Sequence, residues 1–252
     1  MSLSPLGASR SLAAVFTPIK SGGLVDEVCR RIELAVESGL LASGQRLPNE
    51  VELAAALGVS AVTAREALSQ LRGQGLIRTV RGRSGGSFVT ENSFPSAAKA
   101  RDTLRALTRL QITDRGLHLQ AIAVACAGVA ARRSSADDIA ALQSYIRPET
   151  LPGEVATPFA WRLCAAEFLL EIASVARSAR LARELLHLQA DVGTLTLLPF
   201  EDPEFREKTA ILGEAITAAI ADHDSKAAEE RTKELTTATT AWLLAEHAGG
   251  HH

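Results

Sequence analysis

Ser60, Thr63 and Arg65 bring two short hydroxyls and a forked guanidinium together within one stretch of this 252-residue chain. On the outward face of one helix such donors suit phosphate oxygens and the acceptor edge of guanine. Further along, Arg81-Gly82-Arg83-Ser84-Gly85-Gly86 sets two arginines among glycines, where backbone can approach a polyanion closely. Between Ser60 and Arg83 five arginines (65, 72, 78, 81 and 83) face a single acid, Glu66. The whole chain carries a net charge of −2, so the basic character is local and an unspecific nucleic-acid coater is excluded. Residues 94–252 hold the compensating acidic excess. No catalytic motif competes with this reading. The chain has no Gly-x-Ser-x-Gly elbow, phosphate loop, His-Glu-x-x-His or paired Cys. The glycines at 82, 85 and 86 fall between short strands, not between strand and helix as a nucleotide loop requires.

The elements that must position these residues follow from caps and periodicity. Asn49 precedes Glu50 and Glu52, a capping-box arrangement that starts a helix over 50–57. Val51, Ala54 and Ala55 recur there at helical spacing, and Leu53 and Leu57 complete an apolar side. Gly58 can take the left-handed conformation that stops this helix, and Ser60 can cap the next, over 61–73. That second helix is expected to bury Val62, Leu68 and Leu71, with Gly75 ending it. Two helices joined by a tight glycine turn form a helix-turn-helix. Residues 77–80 and 87–89 read as two strands around the basic loop, a wing. A preceding helix over 24–38 carries Val25, Val28, Ile32, Ala35 and Val36 on one side and would pack on the pair.

The ordered run from Gly44-Gln45-Arg46-Leu47-Pro48-Asn49-Glu50, through Leu57-Gly58-Val59-Ser60-Ala61-Val62-Thr63-Ala64-Arg65-Glu66-Ala67-Leu68, to Gly85-Gly86-Ser87-Phe88-Val89 resembles the winged helix-turn-helix of the GntR family of bacterial transcription regulators. The resemblance implies operator DNA as partner and Asn49, Glu50, Ser60, Ala61, Thr63, Arg65, Arg81 and Gly82 as the DNA-contacting positions. Ala61 stands where the family often has a second arginine, so base preference at the matching operator position should differ. Arg81 beside Gly82 is implied to enter or border the minor groove.

Beyond a turn-rich linker over 91–96 the texture changes to alanine- and leucine-rich helical periodicity. Seven helices are expected, at 97–111, 114–132, 136–147, 157–177, 179–196, 204–221 and 225–246. Residues 121–131 are almost wholly apolar and mark the buried centre of a bundle. The expected fold is therefore mostly α: a loose arm over 1–20, a winged helix-turn-helix over 21–90, the linker, and an all-helical domain over 97–247. No apolar run reaches the ~18 residues of a membrane span, and the first twenty residues lack the basic start of a signal peptide. Cys29, Cys126 and Cys164 are odd in number and far apart, the pattern of buried reduced thiols rather than disulfides. A cytoplasmic protein without membrane contact is expected.

The helix count, Arg115, Phe168 followed by Ile172-Ala173-Ser174, and Ala219-Ile220 before Asp224 resemble the FadR-type branch with its FCD effector domain. Many members hold a divalent metal on one Asp and three His. The resemblance lines those four positions up with Ala165, Leu169, Gly213 and Leu235, none of which can bind a metal. His187 and His223 lie on separate helices without a carboxylate at i±4, and His247, His251 and His252 are set aside as a tail. No metal and no cofactor are expected. The changed positions should leave a roomier, less polar pocket for an apolar, acyl or organic-acid effector. Arg115, Trp161, Arg162, Ala165, Leu169, Gly213 and Leu235 are its candidate lining, with Arg115 the first choice of anion anchor. For Arg115, Arg162, Glu167 and Arg177 alike a solvated face or an inter-helix salt bridge is the plainer reading. The function implied is a ligand-responsive repressor acting as a homodimer on a pseudo-palindromic operator, and no enzyme. Two alternatives stay open: a constitutive DNA-bound dimer, and a catalytic helical domain fused to a DNA reader.

Overall fold

The computed structural model describes residues 23–37, 40–41, 44–82, 85–90, 96–149 and 155–249. The chain divides into two compact units, Met1–Phe94 and Pro95–His252. The expected arm lies outside the described residues, as does the expected linker except Ser96. Ser96 is no linker residue, because its hydroxyl accepts from Lys99 N and caps the first helix of the second unit.

The first unit is built on α1 (Leu24–Glu37), α2 (Glu50–Leu57) and α3 (Ala61–Gly73), followed by β1 (Ile77–Val80) and β2 (Gly86–Val89). α1 and α2 both pack on α3. Its core joins Val28, Ile32 and Ala35 to Leu53, Leu57, Ala64, Ala67, Leu68 and Leu71. The strands pair antiparallel, Ile77 opposite Val89 and Val80 opposite Gly86. Arg46 bridges to Phe88, so the chain before α2 ties into the wing as well. Three apolar residues depart from the expected burial. Val51 is 72% and Val62 59% exposed. The buried face of α3 is centred on Ala64, Ala67, Leu68 and Leu71, which puts Val62 on the opposite side of the helix. Ala55 likewise faces solvent, since α2 buries Leu53, Ala54 and Leu57.

The second unit is all helical among the described residues: α4 (Ala97–Ala106), α5 (Arg109–Ala131), α6 (Ala136–Ser144), α7 (Pro158–Val175), α8 (Ala179–Gly193), a 3₁₀ segment (Leu195–Glu201), α9 (Pro203–Ala221) and α10 (Ser225–His247). The first break falls at Leu107–Thr108 rather than at the expected 111–114. Thr108 accepts from Gln111 N at 3.2 Å while Gln111 accepts from Thr108 N at 2.8 Å, so a capping box restarts the helix there. Asp114, the expected start, is an exposed residue inside α5. The stretch expected as a plain break after 196 instead winds into the 3₁₀ segment, with Pro199 inside it.

α5 and α10 run antiparallel at close range. Gln120 Nε2 donates to Thr237 Oγ1 at 2.8 Å, and Ser225 Oγ to the Gly128 carbonyl at 3.0 Å. The approach needs glycine on α5: a Cβ at Gly116 would stand 2.3 Å from Thr240 Oγ1, and one at Gly128 2.0 Å from Glu229 Oε1. At one end Ala100, Leu104, Ile112, Leu195, Leu198 and Leu243 form a shared apolar cluster. Around it Arg101 bonds both Glu201 and Glu246. His247 belongs here and not to a tail: it closes α10, and its Nε2–H donates to the Leu107 carbonyl at 2.8 Å.

Candidate nucleic-acid interface and bundle cavity

In the first unit the caps hold the polar residues of the turn. Asn49 Oδ1 accepts from Val51 N and Glu52 N, each at 3.0 Å, and Glu52 reaches back to Asn49 N at 2.9 Å. Gly58 takes φ 66°, in the left-handed region that glycine adopts without strain. Ser60 Oγ accepts from Thr63 N at 3.0 Å and lies 2.9 Å from Thr63 Oγ1. Asn49 and Ser60 therefore have capping duties beside any contact they make. Arg65 projects from α3 with its side chain 64% exposed, and its Nε donates to Glu50 Oε2 at 2.9 Å. That bond uses Nε, and the terminal nitrogens of the fork carry four further N–H donors. Ala61 is exposed and Thr63 half-buried on the same helix.

The wing arginines divide by partner. Arg72 donates to Thr79 Oγ1 at 3.2 Å, and Arg78 lies 5.7 Å over the Phe88 ring. Arg81 is exposed, and Gly82 beside it has φ 118°. Arg83 and Ser84 lie outside the described residues. A Cβ at Gly85 would fall 2.4 Å from the Val80 carbonyl, so the wing closes only with glycine there. The residue missed by sequence reasoning is Val62. Its exposure on the face of α3 opposite the core could have been read from the phase set by Ala64, Leu68 and Leu71.

The second unit encloses a cavity of about 70 Å³ among α5, α7, α8, the 3₁₀ segment, α9 and α10. Ala165, Leu169, Gly213 and Leu235 all line it, and so does Arg162. Arg115 and Trp161 are not part of its wall. Arg115 turns to Asp191, Nε to Oδ2 3.1 Å, so the first-choice anchor is an inter-helix ion pair on α5 and α8. Arg162 is only 2% exposed, so of its two plainer readings the solvated face does not hold. Burial pushes its guanidinium down to about 9, so it is still a cation at neutral pH. Arg177 does form an ion pair, 3.7 Å from Asp138. Ile146, Phe168 and Phe200 line the cavity beside the four changed positions, and Gln189, Thr209 and Arg162 make the wall partly polar.

An Ala, two Leu and a Gly at the aligned metal positions offer no lone pairs, so this donor set does not fit a transition metal. Among the described residues no group of three or more His, Cys, Asp or Glu is arranged to hold one. His223 Nδ1–H donates to the Ala131 carbonyl at 2.7 Å, a bond that fits its left-handed backbone at the α9–α10 corner. Cys126 is fully buried and burial pushes its thiol up to about 11, whereas Cys164 is only half-buried. No helix among the described residues is long and apolar enough to cross a membrane.

Comparison with known proteins decides the family. Residues 24–89 match the profile of bacterial regulatory proteins of the gntR family, and residues 118–238 match the FCD domain. A Mycobacterium gastri protein assigned as the HTH-type transcriptional regulator RmpR is 35% identical over 207 residues, covering 80% of this chain and 74% of that protein. The chain belongs to the GntR family. It is a DNA-binding transcription regulator of the FadR-type branch, with an FCD effector-binding domain as its second unit. This GntR regulator is also 41% identical over 66 residues to an Escherichia coli K12 protein assigned as an L-lactate dehydrogenase operon regulator, covering 26% of this chain and 25% of that one. Among solved structures, E. coli McbR/YncC is 18% identical, with a TM-score of 0.49 over 90% of this chain and 99% of that one.

Proposed function

We propose that this regulator is a repressor that acts as a cytoplasmic two-fold homodimer and leaves its operator when a small organic acid occupies the cavity of the second unit, without a bridging metal. Two copies of α3 would enter successive major grooves of a pseudo-palindromic site. Asn49, Glu50, Ser60, Ala61, Thr63 and Arg65 would face the groove, and Arg81 with Gly82 the neighbouring backbone or minor groove. In the cavity Ala165, Leu169, Gly213 and Leu235 would supply apolar contact and Arg162 the charge.

The observation that carries the reading is Arg162, a cation 2% exposed at the wall of a cavity whose other lining is mostly apolar. A guanidinium only donates hydrogen bonds, so a ligand group that meets Arg162 in the cavity is an acceptor such as a carboxylate oxygen. The volume speaks for a compact acid over a long acyl chain. About 70 Å³ is roughly half the ~150 Å³ of an apolar cavity that admits benzene.

Titration of labelled DNA from upstream of the protein's own gene tests the reading. Wild-type protein should bind this DNA in preference to random sequence. Arg65→Ala should lose about 1–3 kcal/mol of that binding while remaining folded. Acids of two to five carbons should weaken operator binding by about 5- to 150-fold, and Arg162→Met should abolish that response. Equal binding to random DNA overturns the regulator reading. Operator binding that no acid alters, in a protein that no acid stabilises, would instead favour a constitutive DNA-bound dimer.

A further inference from the structure

We infer that Arg46 is a DNA-backbone contact at the mouth of the wing, and that Gly86 is the positioning residue that lets it lie there. The inference rests on the first unit being the DNA reader. Arg46 belongs to the segment before α2, outside the arginine-rich stretch, and pairs with Phe88 on the edge of β2 away from β1. Leu47 N donates to the Ser87 carbonyl at 2.8 Å and Val89 N to the Gln45 carbonyl at 2.9 Å, so the segment runs as a short third strand. Residues directly opposite one another in such a ladder share a face. Leu47, Ile77 and Val89 are buried on the inner face. Arg46, Phe88 and Arg78 therefore form one row across the outer face.

From its place opposite Phe88 the Arg46 side chain runs along β2 toward the wing loop. A Cβ at Gly86 would stand 2.8 Å from Arg46 Nε and 3.6 Å from both its Cγ and its Cζ. Gly86 pairs with Val80, the residue before Arg81 and Gly82, so the guanidinium lies where the loop leaves the sheet. Any side chain at 86 would have to displace it. Arg46 is exposed, and its side chain makes no hydrogen bond or ion pair among the described residues. Residues 76–90 contain no Asp or Glu, so no carboxylate of the wing competes for it. A guanidinium in that setting suits the two free oxygens of a phosphodiester. Such a contact carries no base information; it adds affinity for any sequence and steepens the salt dependence. Arg46 comes from the chain entering α2 and Arg81 from the loop between the strands, so the two cations tie the backbone to the reader at separate points.

Titration of the full-length protein against its upstream DNA and against random DNA, over a series of salt concentrations, tests this. Arg46→Ala should weaken both by about three- to tenfold near 0.1 M salt and flatten the slope of log affinity against log salt by about 0.9. Arg46→Met, which keeps the stem over Gly86 and loses only the charge, should match it and guards against a folding defect. Arg46→Lys should keep the slope. Gly86→Ala should reproduce the Arg46→Ala changes although it removes no charge, and should add nothing once Arg46 is already alanine. An unchanged slope in Arg46→Ala and Arg46→Met, or a loss confined to the upstream DNA, overturns the inference. Gly86→Ala that binds like wild type, or that weakens the Arg46→Ala protein further, overturns the positioning role of Gly86. Wild-type protein that binds both DNAs equally, with a slope that still depends on Arg46, fails the repressor reading and leaves this contact standing.

Discussion

A valine at the wrong phase of a helix is more informative than one in the core. Val62 is 59% exposed on α3, on the side that also carries Arg65. A branched apolar side chain in the major groove has one natural partner, the C5 methyl of thymine. Replacing thymine by uracil removes that methyl and nothing else on the groove edge. One thymine per half-site should therefore be sensitive to uracil, losing about 1 kcal/mol with wild-type protein and nothing with Val62→Ala. Uniform tolerance of uracil across the operator would assign Val62 no part in reading. The residue scale is also where the sequence was most and least readable. Asn49, Glu52, Gly58 and Ser60 announced their caps because capping is local chemistry, decided within three or four residues. The burial of Arg162 and the pairing of Arg115 were not readable because other helices settle both: Asp191 lies 76 positions from Arg115 along the chain.

Among the elements, the α5–α10 pair is held at its distance by two glycines whose surroundings differ. A methyl at Gly116 would meet Thr240 Oγ1, Cγ2 and Cβ at 2.3, 2.6 and 3.0 Å. The Cβ is fixed to the backbone of α10 and the other two atoms occupy both near rotamer positions, so no side-chain turn clears the space. The three atoms nearest a methyl at Gly128 all belong to the Glu229 side chain beyond its Cβ, which can swing toward solvent. Gly116→Ala should cost about 1–3 kcal/mol of stability through overpacking. Gly128→Ala should come out near neutral, the clash offset by the ~1 kcal/mol that alanine gains over glycine in a helix. Urea unfolding of the two variants measures both, and equal losses would show that the helices part as easily at either point. Seven α-helices were legible as alanine- and leucine-rich segments, yet the α4–α5 break was placed late. Its signal, Thr108 three residues before Gln111, is a weaker mark in a sequence than a charged cap such as Asp114.

For the molecule as a whole, the nucleic-acid partner was foreseen from the resemblance of the capped helix pair and wing to the GntR reader, with the arginines gathered into one short segment as local support. The two-unit division was legible too, because composition changes abruptly near residue 96. The cavity was not, since its wall is assembled from residues far apart along the chain, Leu119, Ile146, Phe168, Phe200 and Leu235 among them. Its far wall has a further consequence. The 3₁₀ segment shows Thr196 and Phe200 to the cavity, while Leu195 and Leu198 pack with Ala100 and Leu104 of α4, and Glu201 bonds Arg101. A seven-residue 3₁₀ turn is a poorly bonded element, long for its kind. It is thus the piece of the bundle that rearranges most cheaply, and it touches α4, the first helix after the sequence leaves the DNA reader. Amide exchange should register this as a shared rhythm. A bound acid should slow exchange in the 3₁₀ segment and in α4 together, and Leu198→Ala should break that correlation while α5 and α10 keep their protection. If α4 is indifferent to occupancy, the segment is a wall of the cavity and carries no message; if the two move in step, the segment that holds Pro199 relays occupancy from the cavity to α4.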